Sequence, residues 1–390
     1  MKTKVLIISY SNFASDPRVL RQLQILGADH EIMEAGRQAS GQGNSFVQLK
    51  EIQAFHVEYP YFIKKGLSLF FKLYRENLLL KVFKKYEQYY WDFLRVNVKS
   101  KLVDFNPKVV IANDIDALPL AVAIKEKTGA KVILDAHEFS PLQMTNLEHW
   151  EKYISPYKYY LSEKYIPFTD YCFTVSKGIA EEYESLAGKP FSIFRNSPRF
   201  IDLEPSAVEN DKIQLIHHGA AIPGRNLELM FDIIAFLDER FVLNLILIPT
   251  VPEYYSKLVE RAKNSKKIVI HSPVPTEEIP MFINQFDLGI FILPPSNFNY
   301  KHALPNKFFE FIQGRLGVAI GPSVEMSPYV KQYDLGVVAS DFSAESIAVL
   351  LNSLDKSQVE AFKMNAHLAA KELAIDKELA YFHKVVNEIA

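Results

Sequence analysis

Short, continuously apolar runs punctuate this chain from end to end, and each gives way to a polar or glycine-containing turn and then a helical pattern. Val5–Ser9, Lys108–Ala112, Lys131–Leu134 and Tyr171–Val175 form one series; Ile213–His217, Val242–Ile248, Ile268–His271, Leu288–Leu293 and Val318–Ile320 form a second. A strand with one wetted face alternates polar and apolar residues, so unbroken apolar runs call for a sheet covered on both faces. Their alternation with helices makes the sheets parallel and the class α/β. A chain of 390 residues is longer than one core ordinarily organises. The stretch Asn196–Asp211, with Pro198, Pro205 and several charges, separates the series. Two Rossmann-like domains are expected, residues 1–197 and 198–375, followed by a helix over 376–390.

Composition narrows the class. With 48% hydrophobic and 23% charged residues this is a globular chain, and a formal charge of -2 gives no case for nucleic-acid binding. Its single cysteine, Cys172, sits in an apolar run. That forbids an internal disulfide, favours a reducing, cytoplasmic setting, and reads as a buried structural thiol. The N-terminal apolar run is too short for a signal sequence, and no run approaches the ~18 residues of a spanning helix.

Parallel sheets bind ligands outside the carboxyl ends of their strands, so two such domains are expected to face each other across a cleft, with the chemistry just after strands. In the second half, Leu304–Ile312 satisfies this. Pro305 marks a helix start, and Ala303 and Leu304 offer no capping side chain. The free N–H groups and the helix dipole then suit a phosphate. Asn306, Lys307 and Glu310 share one face of that helix. Glu310, set among Phe308, Phe309, Phe311 and Ile312, needs polar partners such as a ribose diol; a plain Lys307–Glu310 surface pair is the alternative. A second phosphate candidate, Ile216–Asn226, carries Gly219 and Gly224, and Arg225 stands at the start of the next helix. Arg225 and Lys307 together offer two cations to a leaving diphosphate without a metal. No His, Cys, Asp or Glu cluster has metal-ligand spacing, and the pair His217-His218 reads as a strand end with one ring buried.

In the first half, Asp16 caps a helix begun by Pro17, with Val19, Leu20, Leu23 and Leu26 as its buried stripe. Asp114 and His137 follow strands and can supply acid–base chemistry; Asp116 reads as a helix cap. The segment Tyr61–Lys101 is basic, and Leu67, Phe70, Phe71, Tyr74, Leu78, Val82 and Phe83 recur in it at helical spacing. Two readings stay open: an amphipathic helix lying on an anionic membrane surface, or a long domain helix with solvated charges.

With these residues in view, the chain resembles the retaining glycosyltransferases of the GT-B fold, group 1, including those of bacterial capsule and surface-polysaccharide assembly. Asn306–Glu310 matches their ribose-binding helix, and Glu310 takes the place of the second glutamate of an E-x7-E motif whose first position falls on His302. Their diphosphate-holding pair falls on Ala220 and Arg225, so one charge is replaced, which turns attention to His302 and Lys301. The resemblance implies base contacts at Pro273 and Val274, sugar contact at His137, and a junction contact at Asn196. It implies transfer of a sugar from a UDP- or GDP-linked donor to a carbohydrate or lipid-linked acceptor, with retention and with Arg225 and Lys307 neutralising the leaving group. The last helix would cross back onto the first domain. Two other functions remain alternatives: a nucleotide-sugar epimerase, and a catalytically silent relative that binds a partner or membrane through Tyr61–Lys101.

Overall fold

The computed structural model describes residues 2–49, 73–209 and 212–390. The chain forms two compact units: Met1–Phe194 with Asn297–Asn299 and Glu378–Ala390, and Arg195–Ser296 with Tyr300–Lys377. The first unit holds seven strands: β1 (Thr3–Ile8), β2 (His30–Gly36), β3 (Ser45–Gln48), β4 (Val109–Asn113), β5 (Lys131–Ala136), β6 (Tyr171–Thr174) and β7 (Ser192–Ile193). They lie parallel in the order β3-β2-β1-β4-β5-β6-β7. The second unit holds six: β8 (Ile213–Ala220), β9 (Phe241–Ile248), β10 (Ile268–His271), β11 (Leu288–Phe291), β12 (Gly317–Ile320) and β13 (Gly336–Val338). Their order is β10-β9-β8-β11-β12-β13, again all parallel. Each sheet reverses its winding once, between β1 and β4 and between β8 and β11. That is where a doubly wound sheet opens a crevice.

The apolar runs all become strands, some longer than the sequence suggests: β8 continues through His218 and Gly219 to Ala220, and β5 reaches Ala136. β2, β3, β7 and β13 were not foreseen. In β2, Glu34 interrupts the apolar pattern yet is buried, receiving Ser40 N–H at 2.7 Å and Gly43 N–H at 2.6 Å.

Asp16 caps the Pro17–Leu26 helix through the N–H groups of Arg18 and Val19. Its buried face departs from the expected stripe: Arg18 and Gln22 are buried beside Val19, Leu23 and Leu26, while Leu20 is half-buried. Polar side chains occupy the core there because they satisfy one another. Asp116, by contrast, is not a cap. Ala117 occupies the cap position of the Leu118–Thr128 helix without a side-chain bond, and Asp116 pairs with Lys158.

The segment read as one long helix is divided. Tyr61–Lys72, with Leu67, Phe70 and Phe71, lies outside the described residues. Beyond it come Leu73–Val82, wound in the wide π form, then Tyr86–Tyr90 and Phe93–Asp104. Lys84, in a left-handed conformation at φ 48°, ends the first piece. Tyr74, Leu78, Val82 and Phe83 are exposed. Among the described residues no helix is long and apolar enough to cross a membrane.

In the second unit the Asn306–Gln313 helix is buried from Lys307 to Gln313. It seats on the sheet through Phe311, whose ring fills the space above Gly289 of β11; a Cβ at that glycine would lie 2.2 Å from the ring. In the first unit, Phe382 of the Asp376–Ile389 helix stacks on Phe194 with centroids 5.1 Å apart. Cys172 is buried beside Thr169, and burial pushes its thiol up to about 11.

Candidate functional site

Chemistry gathers at the strand ends of each unit. In the second, Gly219, the last but one residue of β8, has φ +131°, a conformation L-residues rarely adopt. A Cβ there would stand 3.1 Å from Lys307 Nζ and 3.5 Å from Arg225 Nη1, so both cations converge on one glycine. Arg225 closes the short turn Pro223–Arg225 that follows β8. Lys307 lies in the first turn of the Asn306–Gln313 helix. Pro305 is the cap of this helix rather than its first residue, and no side chain caps it.

Lys307 is buried, its ammonium 4.6 Å above the Phe291 ring and 3.4 Å from His217 Nε2. Burial, and then the charge of Arg225, pull it down to about 7, with Glu310 opposing. His217 Nδ1 lies 2.9 Å from the Ile290 carbonyl, which can only accept, so Nδ1 carries the hydrogen and Nε2 presents a lone pair to Lys307. Burial, with Lys307 beside it, keeps His217 neutral, and the same two causes hold His218 near 3. Glu310, buried one turn beyond Asn306, has its Oε2 3.5 Å from His218 Nε2. With both histidines neutral, the charges left are the cations Lys307 and Arg225 against the single carboxylate of Glu310. The cluster is short of negative charge, and a diphosphate would supply it.

His302, where the resemblance has a carboxylate, faces one instead: its Nδ1 lies 3.1 Å from Oε1 of Glu325, in the loop after β12. Nothing local marks Glu325 in the sequence. Pro273 is exposed and Val274 half-buried in the loop after β10, Val274 packing on the cluster that contains Phe308 and Phe309. Asn196 is half-buried after β7, and the neighbouring Arg195 lies 5.3 Å over the Phe309 ring. Among the described residues no group of three His, Cys, Asp or Glu is placed to hold a metal ion.

The first unit holds a second cluster, where β1, β4 and β5 end. Asp114 adopts φ 65°, which turns its carboxylate to accept the His137 N–H at 2.8 Å. His137 Nδ1 lies 3.6 Å from Asp114 Oδ2, and Nε2 lies 3.2 Å from Asn113 Oδ1 and 3.8 Å from Asp135 Oδ2. Burial works against charge on the imidazole, but Asp114 and Asp135 outweigh it and lift His137 to about 9. Asp135 is buried in a two-pronged pair with Arg18, whose Nε lies 2.8 Å away. Arg18 outweighs burial and holds Asp135 well below the usual carboxylate range. Burial, with Asp114 nearby, pushes Glu138 up to about 7. The sequence brought His137 and Asp114 forward. It did not mark Arg18, Gln22, Asn113 and Asp135, because their partners are distant in the chain.

Two doubly wound parallel domains, each bearing its polar cluster at the strand carboxyl ends, define a chain with the GT-B fold. Solved structures of that fold match it over nearly its whole length. HepE from Anabaena, solved with UDP and glucose, is similar at a TM-score of 0.69 and 10% identity, covering 99% of this chain and 100% of that one. Sucrose-phosphate synthase from Thermosynechococcus elongatus reaches 0.72 at 10% identity, with 100% of both chains covered. WaaG, a glycosyltransferase involved in lipopolysaccharide biosynthesis, reaches 0.62 at 11%, covering 96% and 98%. No protein-family model and no curated protein matches the sequence. At such identities the likeness establishes the fold.

Proposed function

We propose that the chain is a glycosyltransferase that moves a sugar from a nucleoside diphosphate to a carbohydrate or lipid-linked hydroxyl, with the second unit as donor domain and the first as acceptor domain. The observation that carries this reading is the convergence of Lys307 and Arg225 on Gly219 beside an uncapped helix start, with Glu310 one turn further on. The cations and free N–H groups take the diphosphate, and Glu310 takes the ribose hydroxyls. Asn306, Pro273, Val274 and Asn196 complete the donor contacts, and His302 with Glu325 forms a polar pair for the sugar. UDP and UDP-glucose occupy the similar HepE structures, which supports a uridine donor ahead of a guanosine one.

Retention of configuration is what the resemblance implies; in that mechanism the leaving diphosphate, neutralised by Lys307 and Arg225, accepts the acceptor's proton, and no protein nucleophile is required. His137 and Asp114 orient the sugar. The exposed Tyr74, Leu78, Val82 and Phe83, with Lys81, Lys84 and Lys85 among them, suit an anionic membrane surface and hence a lipid-linked acceptor.

Calorimetry with UDP, GDP and their sugars tests the donor claim. Glu310→Ala should weaken binding at least tenfold, since losing a charge-assisted hydrogen bond costs ~1.5–3 kcal/mol. No nucleotide binding by the parent chain would sink it. Flotation with phosphatidylserine liposomes tests the membrane claim. The parent should float, a variant with Lys81, Lys84 and Lys85 changed to Glu should not, and a parent that stays behind refutes it.

A further inference from the structure

We propose that Gln22 and Asn113 are positioning residues that fix Nε2 of His137 as a permanent hydrogen donor, leaving Nδ1, beside Asp114, as the nitrogen that meets a substrate hydroxyl. The atoms around these two amides can each only donate or only accept. Asn113 Nδ2 lies 3.4 Å from the Ile8 carbonyl, an acceptor, which assigns the amide nitrogen. Gln22 Nε2 lies 2.6 Å from Asp135 Oδ2, an acceptor because the carboxylate is held ionised by Arg18. The two amides then pair reciprocally: Gln22 Nε2 donates to Asn113 Oδ1 at 2.9 Å, and Asn113 Nδ2 donates to Gln22 Oε1 at 3.1 Å. Turning either amide over would set nitrogen against nitrogen or oxygen against oxygen, so the circuit has one sense.

That sense presents Asn113 Oδ1 to His137 Nε2 at 3.2 Å, with Asp135 Oδ2 behind it at 3.8 Å. Both are acceptors, so Nε2 carries a hydrogen whether the ring is charged or neutral. Only Nδ1 can gain or lose a proton. It lies 3.6 Å from Asp114 Oδ2, while Asp114 Oδ1 is occupied by the His137 backbone. The His137 side chain keeps 22% of its exposure and that of Asp114 33%, so neither is sealed from solvent. A donor and an acceptor side by side match a hydroxyl, which both gives and receives a hydrogen bond. Under the transferase reading, on which this last step rests, the group is a sugar hydroxyl.

Long-range proton–nitrogen NMR on the full chain labelled at histidine nitrogen tests the proposal without substrate. Groups facing His137 are Asp114, Asp135, Arg18 and the more distant Glu138, so spectra are recorded above pH 10, where the imidazole is neutral. The parent should show His137 as one tautomer, hydrogen on Nε2. Gln22→Met frees the Asn113 amide to turn, and should give a mixture of tautomers and a lower kcat at unchanged KM for the nucleotide sugar. A parent with hydrogen on Nδ1, or with both tautomers, overturns the proposal whatever the turnover. If Gln22→Met does not fold, the parent spectrum alone decides. A single Nε2–H tautomer in a chain that turns over no nucleotide sugar refutes the transferase reading and leaves the tautomer assignment standing.

Discussion

Replacing Lys307 with methionine should stabilise the second unit near neutral pH while removing nucleotide binding. In the unliganded fold the Lys307 ammonium is held from 10.5 down to about 7, chiefly by burial. At ~1.4 kcal/mol per pK unit, retaining the charge costs on the order of 5 kcal/mol. Methionine has a similar shape and no charge to bury. It gives up the ammonium's place above Phe291, worth ~1–2 kcal/mol; the attraction of Glu310 is already contained in the shift to about 7. A net gain of about 3–4 kcal/mol remains, or roughly 6–16 °C in melting temperature for a unit of this size. The sign with pH is fixed. The unfolded lysine keeps its proton to ~10.4 while the folded one releases it near 7, so the penalty is full below pH 7 and fades as pH rises toward 10. Thermal melts of both chains at pH 6, 8 and 10, with UDP titrations alongside, check this. The methionine variant should lead most at pH 6, draw level near pH 10, and bind UDP at least tenfold more weakly. A variant that melts lower at pH 6, or a difference that does not change with pH, refutes the reasoning.

The Arg18–Asp135 pair should behave in the opposite way, because each partner compensates the other. Asp135→Asn or Arg18→Met alone should cost about 3–5 kcal/mol by urea unfolding of the first unit, and Arg18→Met with Asp135→Leu should recover much of that. His137, raised to about 9, contributes stability that is fully present below pH ~6.5 and lost as pH climbs through 9. Urea midpoints across that range should fall in the parent and stay flatter in His137→Asn.

What the sequence made legible follows from where the deciding interactions lie. The strands at the centres of both sheets are buried on two faces, and their unbroken apolar runs declare them. β2 hid because Glu34 mimics a loop residue, and its burial is intelligible only once Ser40 and Gly43 turn back to it. The elements of the cluster around Gly219 were readable because Pro305, Lys307 and Glu310 sit within six residues and Gly219 and Arg225 within seven. Glu325, facing His302 from another strand end, was not. Nor was the circuit around His137, whose members come from four stretches of chain brought together by the strand order. Tyr61–Lys101 shows a further limit: apolar spacing announced a helix, but nothing in that spacing reveals the left-handed break at Lys84.

Gly289 sits in mid-sheet with no side chain and no chemistry, yet it works as a depth gauge. The Phe311 ring drops into the space it leaves, and that drop sets how low the Asn306–Gln313 helix rides. Lys307 and Glu310 ride with it as rigid passengers. A methyl group at 289 would raise the helix and carry ammonium and carboxylate away from the Gly219 turn in a single movement. The position of Lys307 and Glu310 is therefore calibrated from underneath, by a residue that has no side chain of its own.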